Sequence, residues 1–272
     1  MKGEAVENGV RWVDANGTVS RVAVDGAGPP VVLIHEMGGT LESYAPIVPA
    51  LARRFTVLRH DVRGAGLSQK VRGTLDITTL ARDLAAVLDA LGVTERVAVA
   101  GCAVGAAIAI QFAADFPART AALIATSPAT GVPDDRRAAL LARADELERD
   151  GAATRMEERL ARSFPPALRT NAAVFDQVRM SRAAADPFGI AALSRMLAGL
   201  DMRDACARVA CPALVLAGEH DGDRPPSGVQ AVAAQIPGAA FKVLPTGHFM
   251  ALQTPELLLR ELDAFLSPDR WS

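Results

Sequence analysis

The stretch VAVAGCAVGAAIAI at residues 97–110 decides how this chain folds. Its first part, Val97–Ala100, is a short run of small and β-branched apolar residues, which predicts a buried strand. The remainder predicts a helix, and Gly101 and Gly105 flank Ala103 at the junction. A strand that turns sharply into a helix crowds its neighbours and strains the residue at the apex, so only small side chains fit around it. The spacing therefore predicts a strand, a tight bend centred on Ala103, and a helix.

Other short apolar runs predict further strands that alternate with helical patterns. The clearest helix runs from about Ile77 to Leu91, because its leucines recur on one face, Asp76 suits an N-cap and Gly92 suits a left-handed C-cap. Alternation of strand and helix is typical of a parallel sheet with helices on both faces. The sequence thus predicts the α/β class with a mostly parallel central sheet. The other predicted strands are Val19–Val24, Val31–Ile34, Thr56–Arg59, Ala121–Ala125, Ala213–Ala217 and Phe241–Leu244, and a last helix covers Pro255–Leu266.

The middle of the chain differs from both ends. Between about Gly131 and Arg208 the strand patterns stop, and stretches rich in Arg, Ala and Glu follow one another, broken by glycines and prolines. This pattern indicates a helical insertion in the sheet domain. We therefore predict a core domain formed by residues 1–130 and 209–272, and a helical lid formed by residues 131–208.

Composition and charge exclude several classes of partner. The 272 residues carry 29 basic and 31 acidic side chains, so the net charge of −2 gives no reason to expect nucleic acid or an anionic membrane. No window is apolar enough to span a bilayer, and no signal peptide precedes the first predicted strand. We expect a cytoplasmic protein that acts on a small-molecule substrate, and a homodimer remains open. The odd set of Cys102, Cys206 and Cys211 predicts buried thiols rather than disulfides.

Four more loops follow predicted strands, and their motifs are specific. They are HEMGG at residues 35–39, DVRGAGLS at 61–68, GEHD at 218–221 and TGHF at 246–249. With the bend at Ala103, these motifs and their order resemble the α/β-hydrolase superfamily over nearly the whole chain. The stretch LDALG at 88–92 is similar to the branch of 3-oxoadipate enol-lactonases and C–C-bond hydrolases. The resemblance implies the α/β-hydrolase fold with an inserted helical lid.

The resemblance also implies a site. Asp221 would orient His248, which would act as the base. The backbone amides of Met37 and Val104 would form an oxyanion hole. His35 would be structural, shaping the loop that carries Met37.

Two positions depart from the family pattern. Ala103 stands where the family has its serine nucleophile, and loss of that serine typically costs about a million-fold in turnover. Glu36 stands where the family usually has glycine, beside the oxyanion loop. Covalent catalysis by an apex serine is therefore not available to this chain.

Four hypotheses address these departures. In the first, the His248–Asp221 dyad is a general base on water or on a carbon acid, with Glu36 holding water or protonating a leaving group. In the second, Ala103 is an engineered replacement in a serine hydrolase. In the third, the chain is a non-catalytic receptor or pseudoenzyme for a small ligand. In the fourth, Cys102 is the nucleophile, but the bend would then have Ala100 and Val104 at the positions that need glycine or a small residue.

The substrate expected from the resemblance is a small carbonyl compound: a lactone, an ester, an amide or a compound with a C–C bond next to a carbonyl. Arg63, Arg182 and Arg195 are candidates for binding a substrate carboxylate, and none is assigned. His60 and His220 are expected at the surface or behind the site rather than as bases. The sequence contains no metal-binding spacing and no complete dinucleotide fingerprint, so we predict no metal and no cofactor.

Overall fold

A computed structural model describes residues 6–266 of the chain. They contain one eight-stranded sheet in the order β1-β2-β4-β3-β5-β6-β7-β8. β1 and β2 pair antiparallel, as do β2 and β4, and the remaining neighbours are parallel. The predicted fold class is confirmed. The strands are β1 (Gly9–Ala15), β2 (Thr18–Asp25), β3 (Pro30–Ile34), β4 (Thr56–His60), β5 (Val97–Cys102), β6 (Thr120–Thr126), β7 (Ala213–Gly218) and β8 (Ala240–Leu244).

The first strand, β1, is absent from the sequence prediction. It lies at the edge of the sheet, and its side chains Val10 and Trp12 are exposed, Trp12 by 57%. The prediction relied on apolar residues that face the core. An edge strand with apolar residues on its solvent side does not give that signal.

Helices cover both faces of the sheet. One core cluster joins the sheet to α2, α3, α8 and α9, and a second joins it to α1, α10 and α11. The ranges are α1 (Val48–Leu51), α2 (Ile77–Ala90), α3 (Val104–Asp115), α4 (Asp134–Asp150), α5 (Met156–Ser163), α6 (Ala172–Ala183), α7 (Pro187–Ala198), α8 (Arg203–Ala207), α9 (Pro226–Ala233), α10 (Met250–Gln253) and α11 (Pro255–Phe265). In the part of the chain that the structure describes, no helix has the length and apolar character needed to cross a bilayer.

The ends of α2 follow the sequence prediction. The Asp76 carboxylate accepts a hydrogen bond from the backbone N–H of Thr79 at 2.8 Å, which satisfies a donor of the first turn. Beyond the last turn, Gly92 takes a φ of 71°. This left-handed conformation is the one in which glycine ends a helix without strain.

The segment between β6 and β7 is helical, as predicted. α4 packs against α7, and α5 and α6 pack against each other. α8 behaves differently, because its Cys206 is fully buried in the core cluster together with α3. The last helix of the predicted lid thus packs with the sheet, and the boundaries at residues 130 and 209 stay a prediction.

Both glycines of the bend are required by close packing. A Cβ on Gly101 would lie 2.2 Å from the carbonyl oxygen of Gly105. A Cβ on Gly105 would lie 2.2 Å from the carbonyl oxygen of Ile34, in the neighbouring strand β3. Backbone atoms cannot yield as a flexible side chain can, so the first turn of α3 sits against β3 only if residue 105 has no side chain.

Gly105→Ala should therefore destabilise the protein by about 3 kcal/mol or more, because the new methyl group forces β3 and α3 apart. Urea unfolding followed by circular dichroism measures the change. Gly228→Ala is the matched control, since Gly228 is also in a helix but has no atom within 4 Å of the place where the new methyl group would lie. This control should be neutral or stabilise by up to about 1 kcal/mol. Equal stabilities of the two variants would contradict the packing argument.

Candidate active site

Ala103 occupies the apex of the bend between β5 and α3. Its φ is 52° and its ψ is −111°, an unusual conformation for a residue with a Cβ. Hydrogen bonds hold it there: its N–H donates to the Thr126 carbonyl at 3.0 Å, and its carbonyl accepts from the N–H of Ala107 at 3.1 Å and of Ala129 at 3.0 Å. Backbone strain of this kind costs about 1–3 kcal/mol and is retained mainly at functional sites.

His248 and Asp221 form a hydrogen-bonded pair. The Nδ1 atom of His248 lies 2.7 Å from Oδ2 of Asp221, and both residues are buried. The other oxygen of Asp221 accepts the backbone N–H groups of Asp223 and Arg224, each at 2.9 Å. Loops that are 27 residues apart in the chain thus bring the two predicted residues together.

The charge of Asp221 fixes which nitrogen of His248 carries the proton. Burial alone would raise the pKa of Asp221, but the bond and charge of His248 and the N–H of Arg224 outweigh it, so the pKa lies below its ordinary value. An ionised carboxylate only accepts hydrogen bonds, so Nδ1 of His248 is the donor. Its Nε2 is then free to take up a proton.

The backbone of His248 is held from two sides. Its N–H donates to the carbonyl of Ser163, at the end of α5, at 3.2 Å. Its carbonyl accepts the thiol of Cys102 at 3.3 Å. The predicted lid and the bend at Ala103 therefore both contact the backbone of this histidine.

Cys102 is not arranged as a nucleophile. Its thiol points to the carbonyl of His248 and is buried. Burial, with a further contribution from the negative charge of Glu36, raises the pKa of this thiol well above its ordinary value. A neutral, hydrogen-bonded thiol is a poor nucleophile, so the geometry contradicts the hypothesis of a Cys102 nucleophile. The thiols of Cys206 and Cys211 are buried as well.

The two predicted oxyanion amides lie at the ends of neighbouring strands. Val104 is the first residue of α3, where a backbone N–H has no partner within the helix. Met37 lies in the loop after β3. Within residues 6–266, neither N–H donates to a protein acceptor. The prediction that these two groups form an oxyanion hole thus stays open.

His35 uses both ring nitrogens in the loop that carries Met37. Its Nε2 accepts the backbone N–H of Val62 at 2.9 Å, so Nδ1 is the protonated atom and donates to the Glu36 carbonyl at 2.8 Å. The N–H of Gly39 donates to the same carbonyl at 2.9 Å. This arrangement leaves His35 no free nitrogen for proton transfer.

Glu36 points into the protein and forms an ion pair that the sequence does not reveal. Its Oε1 accepts from Nη2 of Arg182, on α6, and from the hydroxyl of Ser43 at 3.0 Å. Burial would raise the pKa of Glu36, but the positive charge of Arg182 outweighs it, and the pKa lies below its ordinary value. Glu36 is therefore ionised, so the suggestion that it protonates a leaving group does not fit this geometry.

Arg182 connects three parts of the site. Its guanidinium carbon lies 4.1 Å from the ring centroid of Phe249, the residue after His248. Its Cγ would be 3.8 Å from a Cβ built on Gly38, in the oxyanion loop. Because Arg182 and Glu36 are 146 residues apart, no local motif could reveal their contact.

Apolar side chains form a wall beside Ala103. Four of its residues are buried and four are partly buried, and they come from the bend, the loop of Met37, the segment after β6 and the predicted lid. A ligand carbonyl that reaches the oxyanion amides therefore has apolar groups beside it. The wall consists of Cys102, Ala103, Ala129, Leu197, Met37, Val132, Leu140 and Leu200.

A profile of the family described as alpha/beta hydrolase fold matches residues 29–255. The chain belongs to this family. The match covers the bend, the oxyanion loop and the loops of Asp221 and His248. The family prediction made from the motifs is thus confirmed.

The relatives of this chain have names that refer to different kinds of bond. The chain is 27% identical to pyrrolizixenacetamide deacetylase from Xenorhabdus hominickii, over 89% of this chain and 92% of that protein. A thermophilic esterase from Thermogutta terrifontis matches with a TM-score of 0.89 at 26% identity, covering 97% of this chain and 100% of the esterase. The enol-lactonase from Burkholderia xenovorans gives a TM-score of 0.89 at 25% identity, with 94% and 99% coverage. Esterase and lactonase resemble this chain equally, so the lactonase branch is not singled out.

The other two histidines are not part of the pair of His248 and Asp221. His60 is buried on β4, where burial, with the nearby His35, lowers its pKa to about 4, so it is neutral. Of the two positions expected for His60, the surface is wrong because its strand lies inside the sheet, and a place behind the site stays a prediction. His220 is exposed, beside Asp221. Among the described residues, no three His, Cys, Asp or Glu side chains are grouped as a metal site requires.

The ion pair between Arg182 and Glu36 should show strong coupling. Arg182→Met leaves a buried carboxylate without its counter-ion and should cost about 3–5 kcal/mol of unfolding free energy. The double variant Arg182→Met with Glu36→Gln should lose clearly less, because no buried charge remains. Urea unfolding gives the coupling energy. Lys242→Met removes a surface ion pair with Glu261 and should cost about 0–1 kcal/mol. Additive effects of the two buried substitutions would contradict the pair.

Proposed function

We propose that this chain hydrolyses a small ester, lactone or amide by general-base catalysis with the His248–Asp221 dyad, without a covalent intermediate. The observation that carries the proposal is the buried hydrogen bond of 2.7 Å between Nδ1 of His248 and the Asp221 carboxylate. This bond leaves Nε2 of His248 as a base next to the bend. The relatives support the class of bond, since one is named a deacetylase, one an esterase and one an enol-lactonase.

The attacking atom must come from water, because the methyl group of Ala103 has no nucleophilic atom. Nε2 of His248 takes a proton from a water molecule while the water oxygen forms a bond to the substrate carbonyl carbon. The carbonyl π electrons move to its oxygen, which the N–H groups of Met37 and Val104 stabilise. Asp221 stabilises the imidazolium that forms.

The second half of the reaction returns the proton. The tetrahedral intermediate expels its alcohol or amine, and the imidazolium of His248 protonates this leaving group. The carbonyl re-forms as a carboxylic acid, which ionises in water. The dyad and the two backbone amides have then returned to their initial protonation states, so the steps balance without an oxidant, a metal or a cofactor.

The proposal can be tested with a panel of p-nitrophenyl acetate, γ-butyrolactone and simple acetamides, followed by absorbance or mass spectrometry. His248→Ala should lower kcat by about 10²–10⁴-fold, the usual contribution of a general base. Asp221→Asn should also lower kcat strongly, because an amide favours the wrong tautomer of the ring. Two exposed residues provide matched controls, His220→Ala and Asp263→Asn, and both should keep the wild-type rate.

Two outcomes would overturn the proposal. One is a rate that stays the same in His248→Ala, since another group would then be the base. The other is saturable ligand binding with no product from any member of the panel, which would favour a receptor or pseudoenzyme.

Substitution of the apex residue separates a water mechanism from a serine hydrolase that has lost its nucleophile. In an enzyme built for water attack, Ala103→Ser should raise turnover far less than the roughly million-fold that a triad serine contributes. Kinetics and labelling by a fluorophosphonate measure this, and Ala129→Ser, a buried position in the same apolar wall, is the control. A gain near a million-fold with full labelling would favour the alternative that Ala103 replaces a serine.

A further inference from the structure

Three arginines are candidates for binding a substrate carboxylate by sequence, and each of them is paired within the protein. The Nε and Nη2 atoms of Arg63 bind both oxygens of Asp83 at 2.7 and 2.6 Å. Nη1 of Arg195 lies 2.6 Å from Glu148. Arg182 is paired with Glu36. The three arginines that are candidates for a substrate carboxylate by sequence therefore each have a protein carboxylate instead.

Of these three pairs, Arg182 and Glu36 contact the loops that carry Met37 and His248. Glu36 precedes Met37, which carries an oxyanion amide, and Arg182 stacks on Phe249, which follows His248. Both charged side chains are buried, with 10% of Arg182 and 4% of Glu36 exposed. The pair thus lies between the loop of Met37 and the loop of His248.

The charges of Arg182 and Glu36 cancel each other within their ion pair. A carboxylate brought in by a substrate would find the guanidinium of Arg182 already paired, and burial of an unpaired charge is strongly unfavourable. The apolar wall around Ala103 offers no polar partner in compensation.

We propose that Glu36 is a specificity-determining residue: it occupies Arg182 and so restricts the site to uncharged carbonyl substrates. Without the Glu36 carboxylate, the guanidinium of Arg182 would be a buried cation beside the site, and its planar fork matches a carboxylate. The Glu36 carboxylate occupies the position at Arg182 that the carboxylate of an acidic substrate would otherwise take. This inference rests on the proposed function only for the location of the substrate.

Binding of two ligands that differ only in charge tests the inference without any turnover. The ligands are the ketones 4-acetylbenzamide and 4-acetylbenzoate, which present the same acetyl carbonyl but carry a neutral amide or a carboxylate. Ligand-observed NMR titration gives both Kd values even in the millimolar range. The wild-type chain should bind the amide at least tenfold more tightly than the carboxylate. Equal affinities would overturn the inference.

Variants at the pair test the cause of this preference. Glu36→Gln should shift the ratio of the two affinities toward the carboxylate by at least tenfold. Glu36→Gly, which restores the residue of the family pattern, is a second route to the same result if the glutamine variant does not fold. Glu42→Gln removes an exposed carboxylate that pairs with Arg21, and it should leave the ratio within twofold.

Addition of Arg182→Gln to Glu36→Gln should abolish the gain, because the freed cation is then missing. A ratio that does not move in Glu36→Gln or Glu36→Gly, or a gain that persists without Arg182, would overturn the assignment. Catalysis does not enter these measurements. A chain that shows the charge preference but no hydrolysis would refute the proposed function alone, whereas hydrolysis without the preference would refute this inference alone.

Discussion

The tight turn from β5 into α3 is the constraint on which the rest of the molecule depends. Ala103 keeps its positive φ only because three backbone hydrogen bonds hold it and because Gly101 and Gly105 leave room for the crossing backbone. The same turn places the N–H of Val104 beside residue 103 and puts α3 against β3. A substitution that relaxed the turn would therefore change the oxyanion amide and the sheet packing together.

Much of the fold could be predicted because its signals are local. The cap at Asp76, the glycine at 92 and the apolar runs of the parallel strands depend on neighbours in the chain, and the structure has them as predicted. The exposed face of β1 gave no such signal. α8 was assigned to the lid because strand patterns were missing there, although Cys206 packs into the core with α3.

In the site, too, the residues with local motifs could be predicted and the long-range contacts could not. The motifs of Asp221 and His248 resemble those of the α/β-hydrolase family, and that resemblance predicted the contact that the structure has. The partner of Glu36 depends on how α6 crosses the oxyanion loop, and that packing is not encoded in any short spacing. The contacts of Ser163 and Cys102 with the backbone of His248 are of the same long-range kind.

The hydrogen bond from the His248 N–H to the Ser163 carbonyl connects the end of α5 to the backbone of the proposed base. If α5 swings outward to admit a molecule, this amide loses its acceptor, and the N–H of Gly222 loses the carbonyl of Arg162 beside it. The imidazole and its carboxylate are then less firmly oriented. The orientation of this pair would therefore depend on whether α5 lies against it.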